Sequence, residues 1–134
     1  VEVASLTSSI GGQRGVIATT DIEAGSLIVL EWPFLTWNQF DFSDNSVLLG
    51  MVEQIVRDPK AYECSKDLHP TSLSNIDSKE IENIQLQFQQ VNLLEHATSL
   101  QVLTEEIYRL LLVIKHNAFS SGLYHQLCMI NHSC

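Results

Sequence analysis

The hydrophobic pattern of this chain changes period, and that change limits the folds open to it. Between residues 39 and 117 apolar side chains recur at three- and four-residue spacing. Leu48, Met51, Val52 and Ile55 form one set, Ile81, Ile84, Phe88, Val91 and Leu94 a second, and Leu103, Ile107, Leu110, Leu111 and Ile114 a third. Side chains so spaced share one face of an α-helix. Three amphipathic helices are therefore expected, with the stripes turned into a common core. The first should stop before Asp58-Pro59, because proline lacks an N–H and clashes with the preceding turn. The second opens on a capping box, Asp77 with Glu80, and the third starts near Thr104. Between the first two lies a loop carrying Cys64, His69 and Pro70.

The flanks lack this period. Val1 to Leu6 alternates weakly, Gly11-Gly12 and Gly15 punctuate it, and Val16-Ile17-Ala18 is a short apolar run. Asp21 to Gly25 reads as a turn, and Ser26-Leu27-Ile28-Val29-Leu30 as a buried strand ended by Trp32-Pro33. At the other end, Ala118 to Gly122 breaks the third helix, Leu123 to Ile130 is mostly apolar, and Asn131-His132-Ser133-Cys134 is polar. The expected fold class is α+β, with short β-strands at both ends and a helical insert between them. Its divisions fall at 1–38, 39–104 and 105–134.

The chain has 134 residues, room for one domain. No apolar run approaches the roughly 20 residues of a membrane span, and no signal peptide is visible, so neither membrane nor secretion is expected. The first residue is Val1, and polar residues follow directly on an apolar run at the other end, so a fragment of a longer protein is expected. The net charge of −9 and pI near 4.8 argue against direct nucleic-acid binding, which needs a basic face. Plain solubility accounts for them most simply; if they mark a partner, it is a basic one such as a lysine-rich peptide. Cys64, Cys128 and Cys134 are an odd, widely spaced set with no CxxC pair, which points to a reducing, intracellular setting, nucleus or cytoplasm.

Three chemistries are open to the last residues. His132 with Cys134 suggests a base and a thiolate, although catalytic Cys–His pairs usually come from distant segments. His125, Cys128, His132 and Cys134 are zinc-ligand types at irregular spacing. The bland reading is an Asx or Ser turn beside a buried cysteine. The third chemistry emerges with the N-terminal residues. Gly12-Gln13-Arg14-Gly15-Val16-Ile17-Ala18-Thr19, then Asp21-Ile22-Glu23-Ala24-Gly25 and Leu27-Ile28, resembles the opening of a SET domain. Asn131-His132-Ser133-Cys134 resembles that family's most characteristic motif, and His116-Asn117-Ala118-Phe119-Ser120 with Gly122-Leu123-Tyr124 resembles the approach to it in the SET-and-MYND branch. The resemblance covers about 1–38 and 105–134. The MYND zinc finger is absent, and Gln13 stands where the family's turn usually has glycine.

This resemblance implies a protein-lysine methyltransferase using S-adenosyl-L-methionine. The chain would be an incomplete, cofactor-side portion of a partial SET domain, itself inactive. Such enzymes move a methyl group by in-line displacement, chiefly a matter of orientation. By resemblance, the backbone at Gln13, Arg14 and Gly15 cradles the methionyl end, with Arg14 either facing its carboxylate or solvated. Asn131 accepts from the cofactor ammonium, His132 meets the adenine through its backbone, and Asn117 is a second polar contact or a helix cap. Cys128 and Met129 wall the pocket or pack in the core. The implied substrate is a lysine-containing protein or peptide, histones among the candidates. Tyr62, Tyr108 and Tyr124 stand in no context matching the family's catalytic tyrosine, and no metal ligand is assigned. The alternative is a non-catalytic, SET-derived or helical protein-interaction module.

Overall fold

Asp58-Pro59 is where the helical region is divided. The computed structural model describes residues 3–7 and 14–130. In it α1 (Asn45–Arg57) ends at Arg57, as the proline requires, and α2 (Pro59–Ser65) begins at once. Asp58 closes the first helix and caps the second, its carboxylate accepting from the N–H groups of Lys60 and Ala61, each at 3.1 Å. Asp44 caps α1 in the same way, accepting from Ser46 N at 2.9 Å and holding the Ser46 hydroxyl at 2.7 Å. These bonds favour the ionised form and keep the Asp44 carboxyl below its usual range.

The remaining helices are α3 (Ser78–Gln87), α4 (Leu93–Leu100) and α5 (Thr104–Asn117). Helix α5 lies at the centre, with α1, α3 and α4 packed against it. Ile107 and the unbroken run Leu110 to Ile114 are buried, because the neighbours cover the helix all round. Leu48, Met51, Val52 and Ile55 from α1, Ile84 and Phe88 from α3 and its end, Leu93 and Ala97 from α4, and Leu68 and Leu123 from the connecting segments complete the core. Arg109 is buried among these apolar residues, its guanidinium forked onto Glu106 and donating to the carbonyls of Ser65 and Pro70. It thereby ties α5 to the end of α2 and to the loop that follows.

Beside this helical body, β1 (Val3–Thr7) pairs antiparallel with β2 (Arg14–Ala18), Val3 opposite Ala18 and Thr7 opposite Arg14. A turn follows at Asp21 to Gly25, where Gly25 takes a positive φ and Ser26 N donates to Glu23 O.

The α+β expectation, a partial SET domain with short strands at both ends, is not met. Five α-helices dominate the described residues, and the one ladder there is β1–β2 at the N-terminal side. Residues 26–30 form no strand: no ladder partner lies alongside them, and Leu27, Ile28 and Leu30 are 71%, 50% and 83% exposed. Leu123 to Ile130 contributes an isolated bridge between Leu123 and Leu35 and then curls into a 3₁₀ turn, Leu127–Met129. Smaller corrections concern the helices. The second predicted helix is two, since Asn92 caps a new start by accepting from Glu95 N at 3.3 Å. Leu94 and Leu103, expected inward, are exposed. Asp77 is the cap of α3 as expected, but Glu80 reaches His116 at 2.6 Å.

Candidate functional site

The end of α5 is where the two flanking segments meet. Asn117 is the last residue of the helix and is nearly buried. Its side-chain amide donates to the carbonyls of Val113 and His69, so both amide hydrogens are engaged within the fold. Its backbone carbonyl accepts from the Cys128 thiol at 3.2 Å. Burial pushes that thiol up from 9.0 to about 11, so Cys128 is protonated at neutral pH.

The chain reaches Cys128 through a close crossing. After Asn117 it turns back at Phe119 to Gly122, and Leu123 exchanges backbone hydrogen bonds with the N-terminal segment. Phe34 N donates to Leu123 O and Leu123 N to Leu35 O, both at 2.9 Å. Gly122 has φ +147°, and a Cβ there would collide with the Leu35 carbonyl oxygen, so the crossing requires glycine twice over. Trp37 closes one side by donating from Nε1 to Phe119 O at 3.0 Å, and Phe119 meets Tyr124 edge-on.

Glu31 then takes hold of the following turn. Its Oε1 accepts from His125 N at 2.8 Å and Gln126 N at 3.0 Å, and its Oε2 accepts from Gln126 N and Leu127 N, both at 2.9 Å. The first N–H groups of a helical turn have no partner within it, and a carboxylate can take several at once. His125 also reaches Asp67 through Nε2 at 3.2 Å, linking the turn to the loop after α2.

Of the residues assigned from sequence, Arg14 and Gly15 lie on β2, which runs beside the Leu127–Met129 turn. Asn117 borders the same turn through Cys128. Gln13, Asn131 and His132 lie outside the described residues, as does Cys134. Among the described residues no three His, Cys, Asp or Glu side chains converge as a metal site. Tyr62 is remote from this turn: its hydroxyl donates to Glu106 at 3.1 Å, and burial with that carboxylate raises its pKa.

Sequence reasoning missed Glu31 and the second role of Gly122. The signal for Glu31 was a single carboxylate inside Leu27-Ile28-Val29-Leu30-Glu31-Trp32, an otherwise apolar run. Gly122 was legible only as a helix breaker, because its neighbour across the crossing is distant in sequence.

No protein-family model, curated protein or solved structure matches this chain. No helix among the described residues is long and apolar enough to cross a membrane.

Proposed function

We propose that this chain is the cofactor-side portion of a SAM-dependent protein-lysine methyltransferase of the SET family. One observation supports the reading: the two flanking segments that contain the family-like motifs meet, at residues that lie mostly between those motifs. Residues 31–35 and 123–127 exchange backbone and carboxylate hydrogen bonds although 94 to 96 positions separate Glu31 from the amides it holds. Leu123 is part of the core that the helices form, and Phe34, Leu35, Trp37 and Cys128 pack against it.

In this reading the backbone at Gln13, Arg14 and Gly15 holds the methionyl end of SAM. Asn131 accepts from its ammonium, His132 meets the adenine through its backbone, and the Asn117 side-chain oxygen is a second acceptor. The cofactor supplies a methyl group on a sulfonium, and the protein's task is to fix its direction. The acceptor is a lysine in a basic protein or peptide, histones included, which the net charge of −9 suits. The cysteine pattern fits a nuclear or cytoplasmic setting. No tyrosine of the chain sits in the family's catalytic context, so binding without appreciable turnover is expected of these 134 residues.

A second reading, a non-catalytic interaction module, draws on the exposed run Leu27, Ile28, Leu30 and Trp32, the last 89% exposed. Calorimetric titration with SAM separates the two. The methyltransferase reading expects saturable binding that Asn131→Ala abolishes. A well-folded chain with no SAM heat contradicts it and favours the module.

A further inference from the structure

We propose that Glu31 is a positioning residue of the cofactor site, acting through the turn that carries Cys128. This rests on the methyltransferase reading above and extends it to a residue outside the family-like motifs. Three consecutive amides, His125, Gln126 and Leu127, all point at one carboxylate at 2.8 to 3.0 Å. That fixes the orientation of three successive peptide planes. The residues immediately following are Cys128, bonded to the Asn117 carbonyl, and then Met129 and Ile130, which lead to Asn131. The orientation of the turn that sets Cys128 against Asn117 is therefore held by Glu31.

Glu31 has the means to hold that direction. It lies two residues before Pro33, whose ring restricts the backbone, and three and four before Phe34 and Leu35, which are bonded to Leu123. Its own backbone is thus anchored to the segment it orients. The three amides are the leading N–H groups of a short turn and have no partner within it. Without the carboxylate they must find water, and the turn is free to reorient. Asp67 supports it on one side only, through the His125 ring.

The test compares the wild-type chain with Glu31→Ala, Glu31→Gln and a control, Glu53→Ala, which removes a surface pair with Arg57. SAM affinity is measured by calorimetry and Cys128 alkylation by peptide mapping, with helical circular dichroism as the check on folding. Removing the carboxylate should weaken SAM binding about tenfold or more, since misplacing a positioned group by an ångström has effects of that order. Glu31→Gln, which keeps one acceptor oxygen, should lose less. Cys128 should alkylate faster in Glu31→Ala, and saturating SAM should slow it again, because coupling between two events is reciprocal. A purely structural role would speed alkylation while leaving SAM affinity unchanged. Any ligand of the folded state slows its opening, so the affinity of the folded variant decides.

Unchanged SAM affinity in Glu31→Ala, with Cys128 alkylation accelerated and the helices intact, overturns the proposal and leaves the methyltransferase reading standing. Absence of SAM binding by the wild-type chain overturns both. If Glu31→Ala fails to fold, Glu31→Gln decides alone: weaker binding supports the role, and wild-type affinity overturns it.

Discussion

The helical body and the crossed flanking segments are built on different principles. In the body, α1, α3 and α4 surround α5, and Ile107 and Leu110 to Ile114 lose nearly all contact with water. Its polar groups are settled by the Asp44 and Asp58 caps and by Arg109, which joins α5 to the end of α2 and the loop beyond it. The flanks have no separate core: they add Leu123 to that of the helices, with Phe34, Leu35 and Trp37 packed against it. They are joined by two backbone hydrogen bonds at Leu123, one indole donor and one carboxylate on three amides, while Leu27, Leu30 and Trp32 stand in solvent. Burial is non-directional and tolerant of small shifts. Hydrogen bonds fix angle and distance but add only about 1 kcal/mol each to stability. The body thus suits a scaffold, and the flanks suit a region where orientation matters more than stability.

Substitutions should separate the two. Leu110→Ala, at the centre of α5, should destabilise the whole body by about 3 kcal/mol, read as a lower urea midpoint by circular dichroism. A loss below about 1 kcal/mol would mean that the α5 core is not packed as described. Gly122→Ala should cost about 2 kcal/mol but act locally. Amide exchange at Phe34 and Leu123 should accelerate while the α1 and α5 amides stay protected. An equal loss of protection everywhere would break the distinction between body and flanks.

Cys128 offers a third and smaller effect. With the folded-state value at about 11 and the ordinary one at 9.0, the neutral thiol is the form that folding favours. Its contribution is complete below pH 9, and it is lost as pH rises through about 11. At pH 8 native Cys128 should alkylate about a hundredfold more slowly than in urea, the ratio of thiolate fractions for a shift of that size. Equal rates in both would place the thiol in water and remove it from the Asn117 carbonyl.

What could be read from the sequence follows the same division. Leu48, Met51, Val52 and Ile55 announced α1, and Ile107, Leu110, Leu111 and Ile114 announced α5, because a helix face is written within a few residues. Asp77 and Pro59 marked boundaries for the same local reason. Ser26 to Leu30 misled, since an apolar run forms a strand only beside a partner, and the run itself does not specify one. Phe88 and Leu94 were read as one stripe although Asn92 restarts the helix between them. At the candidate site Asn117 was legible as a helix end, where its side chain bonds to Val113 and His69, whereas Glu31 was not legible at all. Its partners are the amides of residues 125 to 127, and a backbone N–H has no signature in sequence.

The central claim, that the joined flanks form the cofactor site and the helices its scaffold, is tested most directly by amide hydrogen exchange with and without saturating SAM. Slower exchange at β2, Phe34, Leu123 and His125 to Leu127, with α1 to α4 unchanged, is the result predicted. No change anywhere, or protection confined to α1 to α4, would contradict it.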